Sequence, residues 1–409
     1  MIEQSQSLLE PININNDVTQ IIEENFASLY SGLIGLSSIS GGQGAADAAL
    51  ANLDITGYAQ DRSQVLPKQS RGASVLSPYI RHNLLTLTQV FRAVKGAPFK
   101  DRQKFQEELL WQEYARHLYA RLGSKLFNNL RYQSIWETPG YGWDKKMLCI
   151  QTVLDELEND GWLVNQARMW LASHWTVRNK MGWLHGQEEM FRNLIDGSRA
   201  ANLLGWQWSV GAGTGKPYGF ARWQVEKRAP GLCNKCSLKT NCPIQNFPNE
   251  ITLAQLPREP LLDADPDSST TAGPLYPKSQ KPARYVMLTI DSLGDGDPAL
   301  IDNPELPAIF VFNRQALAKL QLSSRRIGFY LQTLKDLSKR RDLQVYLGNP
   351  YLFAAENPVA ITFAPVPSFK KFSKLAAIYP YQWLIKPDNQ PLRSFSAWRS
   401  KIDEKSILN

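Results

Sequence analysis

The sequence has few cysteines and lacks long apolar runs. Four cysteines in 409 residues are too few for a disulfide framework in a chain of this size. No uninterrupted apolar run approaches the about 18 residues that a membrane-spanning helix needs. The opening residues, MIEQSQSLLEPIN, contain neither the basic region nor the apolar core of a secretory signal. These absences predict a soluble, cytoplasmic protein without a membrane partner.

Charge and aromatic content indicate which kinds of ligand the protein binds. Lys and Arg number 46 against 38 Asp and Glu, and the net charge of +8 is a mild bias toward polyanions such as nucleic acids. Hydrophobic residues make up 43%, which excludes a disordered chain. The 12 tryptophans are more informative, because a buried indole needs a partner for its N–H. Tryptophan is common where flat ligands stack or electrons are transferred.

The pattern along the chain predicts a multidomain α and α/β protein. An N-terminal lead-in, 1–54, contains one helix pattern around residues 21–36, and dense helical periodicity follows over 55–249. A Pro-, Asp- and Ser-rich linker spans 250–283. In 284–409, the order strand, strand, helix, strand predicts a small Rossmann-like parallel α/β domain, with possible further strands at AITFAPV and QWLIKP. No GxGxxG motif follows these strands, so a dinucleotide fingerprint is absent.

The cysteines are spaced like metal ligands. Cys233 and Cys236 form a C-x-x-C, Cys242 is followed by proline, and Cys149 lies far upstream. A zinc finger needs a second close pair, which is missing. Four thiolates with no nearby histidine suit a [4Fe-4S] cluster. Zinc bound by three cysteines and water, or no metal at all, are the alternatives.

Three stretches of the helical region carry possible ligand chemistry. GASVLSPYI, over 72–80, places two hydroxyls before a helix that Pro78 opens, which suits an anion such as a diphosphate. ELLWQEY, over 108–114, puts Glu108 and Trp111 on one helix face, although a tryptophan there commonly packs inward. The third stretch comprises GWLVNQARM (161–169), Trp183 and LIDGSRAANLLGWQW (194–208).

In their order and spacing, these stretches resemble the photolyase/cryptochrome family. Its flavin domain carries a TS-x-LSPY loop, an ELLWRE helix, and GW-x-x-N-x-x-R-M, LIDG-x-x-AAN and GWQW segments. The likeness spans about residues 55–210 and implies an all-α FAD-binding domain. The implied FAD ligands are Tyr58, Ser74 and Ser77 for the phosphates and ribitol, Arg168 and Asp196 as the pair beside the isoalloxazine, Asn202 at the flavin N5, and Asn165 near the adenine and the lesion.

The resemblance also implies a substrate site and an electron-transfer chain. The positions that contact a cyclobutane pyrimidine dimer are Glu108, Trp111, Met169 and Trp208. Trp206 and Trp183 correspond to the inner members of the electron chain, and Trp136 is the expected outer member, with Tyr132 as the competitor. The lesion would be flipped out of damaged DNA into a pocket with an aromatic wall.

Some positions depart from the family. Ser198 replaces the second acidic residue of the LIDGD segment, Gln112 replaces the arginine of ELLWRE, and Val164 replaces a polar residue. Asn165 and Met169 stand where a (6-4) photolyase has histidines, which favours cyclobutane dimers.

The cysteine pattern resembles the iron–sulfur bacterial branch, and the C-terminal α/β region resembles the family's antenna domain. That domain normally comes first, so the order here suggests a circular permutation. At about 125 residues it is short, which argues against an antenna chromophore. The sequence therefore predicts a light-driven DNA repair flavoprotein, and the alternative is a cryptochrome-like blue-light sensor or redox flavoprotein without repair activity.

Overall fold

The computed structural model describes residues 9–278, 282–403 and 407. Its N-terminal part contains β1 (Glu10–Pro11), α1 (Val18–Asn25), β2 (Tyr30–Ser31) and α2 (Gln43–Ala51). Helix α1 is shorter and begins earlier than the helix predicted around residues 21–36. The Asp17 side chain caps its start by accepting from the N–H groups of Thr19 and Gln20, and Ser28, with a φ of +66°, prevents its continuation.

Between residues 58 and 228 the named elements are all helices, as the periodicity predicts, and loops join them. The longest helix, α6, crosses this region, and α8, α9 and α10 pack against one another. A π-helical turn, His174–Arg178, continues α8. Gly161 and Gly211 end α7 and α10 with φ values of +65° and +86°, which residues with a Cβ rarely adopt. The bounds are α3 (Tyr58–Asp61), α4 (Ser77–Arg81), α5 (Leu87–Ala93), α6 (Phe99–Leu122), α7 (Leu148–Asp160), α8 (Asn165–Ser173), α9 (Trp183–Asn193), α10 (Arg199–Val210) and α11 (Arg222–Arg228).

The C-terminal part is built on a six-stranded sheet with the order β1-β6-β4-β3-β7-β8. All pairings among its last five strands are parallel, and β1 joins the edge strand β6 antiparallel. Strands β2 and β5 form a separate parallel pair. The remaining elements are α12 (Ser268–Ala272), β3 (Tyr285–Leu288), α13 (Pro298–Asp302), β4 (Ala308–Asn313), α14 (Arg314–Leu320), β5 (Leu322–Ser323), α15 (Ser324–Leu337), β6 (Leu343–Gly348), α16 (Pro350–Glu356), β7 (Val359–Thr362), β8 (Ala376–Tyr379) and α17 (Phe395–Arg399).

The two faces of the sheet belong to different cores. Side chains of a strand alternate between faces, so Leu288 and Phe310 join the large core that also fills the helical part. Met287 and Ile309 point to the other face, where a smaller core includes Phe353 of α16. The helical and α/β parts therefore share one continuous apolar core. The prediction of a mixed helical and α/β architecture is confirmed.

One predicted strand is wrong. Residues 382–387, QWLIKP, form no strand, and the last strand of the sheet is β8 instead. The backbone of this segment bonds to side chains of α6: the N–H of Ile385 donates to Glu113 (2.9 Å) and its carbonyl meets Nε2 of His117 (2.7 Å). Pro387 has no N–H to give to a sheet. The segment is a strap across α6.

The domain boundaries stay a prediction. Residues 1–8 of the lead-in, 279–281 of the linker, and 404–406, 408 and 409 of the α/β region lie outside the described residues. Within the described part of the chain, no helix is both long enough and apolar enough to cross a membrane.

Candidate functional site

A large cavity lies where the helical part meets the sheet. It has a volume of about 670 Å³. Its helical walls come from α3, α4, α6, α8 and α10, and its other walls follow the carboxyl ends of the parallel strands, at residues 289–291, 313, 350–351 and 364–366. Ligands of parallel α/β sheets bind at this edge. The cavity is therefore continuous from the helical bundle to the sheet.

Asp196 is held in the cavity wall by two hydrogen bonds. Its Oδ2 accepts from Oγ of Ser77 (2.6 Å) and from Arg168 (2.7 Å). Ser77 in turn accepts from the indole N–H of Trp162 (2.9 Å). The second carboxylate oxygen, Oδ1, is buried and has no partner among the described residues. A buried acceptor without a donor is costly, so this oxygen suits a ligand that carries an N–H or O–H group.

The loop before α4 approaches the cavity in a strained conformation. Ser74, Val75 and Ser77 all line the cavity. Helix α4 begins at Ser77 with Pro78 in its first turn, as the sequence predicts. Val75 has a φ of +54°, which a β-branched residue rarely adopts and which is common at ligand sites.

The α6 side of the cavity is charged and aromatic. Glu108 lies 3.0 Å from Nζ of Lys104 and 3.5 Å from Nε of Arg62. Trp111, half-buried, lines the cavity on the same helix. Burial, and secondly the Glu108 carboxylate, raise the pKa of Tyr58. Lys104 and Arg62 therefore compensate the negative charge of Glu108 at the cavity wall.

Ser198, which departs from the family pattern, directly precedes helix α10. Ser198 lines the cavity and caps this helix, its Oγ accepting from the N–H of Ala201 (3.4 Å). One turn later, Nδ2 of Asn202 donates to the backbone carbonyl (2.9 Å) and side-chain oxygen (3.0 Å) of buried Gln187. These bonds fix the amide of Asn202 at the cavity wall.

The cavity brings together most of the residues predicted for the site. Those that line it are Tyr58, Ser74, Ser77, Glu108, Trp111, Asn165, Arg168, Met169, Asp196, Asn202 and Trp206. Trp208, Trp183 and Trp136 are not among its lining residues. Trp208 is 43% exposed and pairs with the ring of Tyr218 at 5.3 Å, whereas Trp183 and Trp136 are buried. The individual roles of all these residues stay predictions.

Sequence reasoning missed several cavity residues from outside the motifs. Arg81 ends α4 and bonds Asp291, which follows β3, at 2.6 Å. Arg116 and Tyr381 line the same side of the cavity. A periodic pattern does not reveal such groups, because they meet only when the sheet packs against the helices. The one local signal is the position of Arg81 directly after LSPYI.

The four cysteines converge on a second, much smaller cavity. Cys149 enters from α7, and the other three come from the segment after α11. Arg222 and Lys239 line the same cavity. Burial, followed by the neighbouring Cys233, raises the pKa of Cys149 to about 12. In the described part of the chain, no group of three or more His, Cys, Asp or Glu side chains is arranged to hold a single metal ion.

Comparison with known proteins agrees with the architecture of the helical part. Residues 147–227 match a family model described as the FAD binding domain of DNA photolyase. The chain is 26% identical over 163 residues to a deoxyribodipyrimidine photo-lyase of Synechococcus sp., and 29% identical over 167 residues to one of Vibrio cholerae. Within the helical part, this chain is therefore similar to the FAD-binding domain of the photolyase/cryptochrome family. These matches cover 35% and 36% of the chain.

The matches to photolyases cover only part of each protein. The chain spans about a third of each of these two photo-lyases, 33% and 35%. A solved structure of a Synechocystis sp. cryptochrome is 19% identical, with a TM-score of 0.41, covering 48% of this chain and 46% of the cryptochrome.

Proposed function

We propose that this protein is a light-driven DNA repair flavoprotein that acts on cyclobutane pyrimidine dimers, with FAD in the large cavity. One observation carries the proposal: groups suited to FAD and groups suited to a pyrimidine dimer line the same cavity. Its volume of about 670 Å³ falls within the range of about 300–1,000 Å³ that is usual for ligand sites. The oxygen of Asp196 that lacks a donor also fits a flavin ring edge.

The chain's own residues have distinct tasks in this proposal. Photoexcited reduced FAD, when bound, supplies the electron that splits the dimer. Arg168 neutralises Asp196 and fixes its carboxylate, and Asn202 is oriented by Gln187. Trp111 offers a flat surface for a flipped base, because stacking on aromatic rings tolerates any base.

We further propose a [4Fe-4S] cluster at the four cysteines, as in the iron–sulfur branch of the family. All four line one small cavity, and Arg222 and Lys239 supply positive charge beside the sulfurs. In such a cluster each thiolate binds a different iron, so the thiolates stand farther apart than around one zinc ion.

The α/β part is proposed to correspond to the family's antenna domain in permuted order. Counted along the chain from β3, its five parallel strands have the spatial order 3-2-1-4-5, which is the beginning of the Rossmann order. This order supports a Rossmann-like domain that follows the flavin domain in sequence.

A blue-light sensor or redox flavoprotein without repair activity is the second candidate. Two observations favour it. Glu108 is already paired with Arg62 and Lys104, and Trp208 lies outside the cavity lining. Both are residues that the family resemblance assigns to lesion contact.

Repair of a thymine-dimer oligonucleotide distinguishes the two candidates. Purified protein, reduced anaerobically, is illuminated with blue light, and dimer loss is followed by chromatography with a dark sample as control. The repair proposal predicts bound flavin near one per chain and light-dependent dimer loss. Flavin without dimer loss would favour the sensor. Chains that take up no flavin, even on reconstitution, would contradict both.

A further inference from the structure

A line of neighbouring tryptophans leads from the large cavity toward the surface, and its second and third members lie outside the family motifs. The first member is Trp206, which lines the cavity and is 2% exposed. The second is Trp175, fully buried in the π-helical turn after α8. The third is Trp143, which is half-buried between two exposed residues, Gly142 and Asp144.

Trp206 and Trp175 meet at Gly186 of α9. A Cβ atom on Gly186 would lie 2.7 Å from Cζ3 of Trp206 and 2.8 Å from Cδ2 of Trp175. Because both ring atoms lie this close to the same point, the two indole rings are near neighbours. A glycine at this point lets both indoles press against the helix backbone, where any side chain would separate them.

Trp175 and Trp143 are in direct ring contact. Their ring centroids are 4.8 Å apart, in an edge-to-face arrangement of 63°. The indole N–H of Trp175 donates to the carbonyl of Gly182 (3.0 Å), and that of Trp143 donates to the carbonyl of Leu171 (3.0 Å). Both rings are thus held in place by a hydrogen bond as well as by packing.

The outer step is where the route expected from the family resemblance differs from this one. Trp136, its expected outer member, is only 7% exposed. Among the ring pairs of the described residues, none joins Trp183 to Trp136. An outer relay must exchange electrons with a reductant in solution, and half-buried Trp143 meets that condition better.

We propose that electrons reach the cavity along Trp143, Trp175 and Trp206, a relay that rests on the flavin function proposed above. One electron passes from Trp206 to the photoexcited ring in the cavity and leaves an oxidised indole. Trp175 returns one electron to Trp206, Trp143 returns one to Trp175, and a thiol in solution reduces Trp143. No covalent bond forms or breaks in the relay.

Burial gives this relay a direction. A positive charge on an indole is costly in an apolar interior and less costly near water. The indole N–H of Trp206 has no acceptor among the described residues, so its oxidised form has no base to take its proton. The positive charge is therefore driven outward from Trp206 to half-buried Trp143.

The test compares single Trp→Phe variants in the full-length, flavin-loaded protein. Trp175→Phe and Trp143→Phe interrupt the proposed relay, and Trp183→Phe and Trp136→Phe interrupt the route expected from the resemblance. Trp170→Phe is the matched control, since Trp170 is fully buried, stacks on Phe220, and has no partner for its N–H. Bound flavin is measured first by absorption, and thiol-dependent photoreduction second.

The proposed relay predicts that both of its variants slow photoreduction about tenfold or more, equivalent to about 1.4 kcal/mol of activation free energy. The control and the variants of the other route should keep the wild-type rate. Loss of rate in Trp183→Phe with a normal rate in Trp175→Phe would overturn the relay. If the wild-type protein binds no flavin, the proposed function fails, and that outcome is recognised before any rate is compared.

Two further measurements do not depend on photoreduction rates. In flavin-free protein, the Trp143–Trp175 ring pair should give a near-ultraviolet circular dichroism signal that either variant removes and Trp170→Phe retains. After illumination of loaded protein in air without thiol, mass spectrometry should find oxidised indole chiefly at Trp143. Oxidation concentrated at Trp136 instead would contradict the proposal. If Trp175→Phe does not fold, the Trp143→Phe variant still tests the relay, because Trp143 is only half-buried.

Discussion

Buried His117 makes stability depend on pH in a calculable way. Its Nε2 lies 2.7 Å from the carbonyl of Ile385, and the rings of Trp383 and Trp398 stand 5.3 and 5.4 Å away. Burial is the main cause that lowers its pKa from 6.5 to about 4, with Arg121 adding to the effect. The folded protein therefore holds a neutral imidazole over a range where the unfolded chain binds a proton.

The sign and size follow from proton linkage. A lowered histidine pKa gives stability that is present above pH 6.5 and is lost as the pH falls from 6.5 toward 4. At pH 5 the unfolded histidine is almost fully protonated and the folded one is not, which costs about 2 kcal/mol. His174, whose pKa burial also lowers to about 4, adds a loss of similar size.

Replacing His117 by glutamine isolates this contribution. Glutamine keeps a donor for the carbonyl of Ile385 and cannot be protonated. Urea unfolding is measured at pH 7, 6 and 5 by tryptophan fluorescence. Between pH 7 and pH 5, the unfolding free energy of His117→Gln should rise by about 2 kcal/mol relative to that of the wild type. The control is His185→Gln, because His185 is exposed. A gap that does not change with pH would refute the reasoning.

Four further predictions use other parts of the structure. Asp196→Asn should lower bound flavin, measured by absorption, because it removes the ion pair with Arg168. Trp111→Ala should weaken binding to damaged DNA about tenfold or more, and leave undamaged duplex unchanged in a gel-shift assay. Cys149→Ser should reduce iron and sulfide from about four per chain in elemental analysis. Burial raises the pKa of Glu113, so the contribution of this side chain to stability falls as the pH rises above 4.5, and Glu113→Gln should gain on wild type between pH 4.5 and 7 in urea unfolding.

The parts of the fold that the sequence predicts well are those with local causes. The apolar stripe at Ile327, Leu331 and Leu334 becomes the buried face of α15, because the period of an α-helix is a property of the segment itself. Strands β3, β4 and β6 likewise coincide with short apolar, β-branched or aromatic runs. Three of the site motifs have local causes as well, since GASVLSPYI, GWLVNQARM and LIDGSRAAN each combine a loop with a helix start.

The features that sequence analysis misses depend on distant partners. QWLIKP has the composition of a strand, yet Glu113 and His117 of α6 take up the hydrogen bonds of Ile385. Arg81 and Asp291 are separated by 210 residues, and nothing near either one predicts their ion pair. The approach of Trp206 and Trp175 to the same residue, Gly186 of α9, likewise depends on how these helices pack. Such features follow from packing, which periodicity does not encode.

The same packing explains why the α/β part matters to the cavity. The turn of Asp196 and Gly197 leads into α10, and it carries the carboxylate that the flavin proposal needs. The carbonyl of Gly197 accepts from Arg81 of α4 (3.0 Å) and from fully buried Arg326 of α15 (2.7 Å). Arg81 also bonds Asp291 at the end of β3, so the turn is held from both parts of the protein. A guanidinium bonds several acceptors in one rigid geometry, so Arg81 and Arg326 need the α/β part to keep their positions. Without the sheet, the backbone that carries Asp196 would lose these two hydrogen bonds. The α/β part therefore helps to fix the wall of the large cavity that carries Asp196.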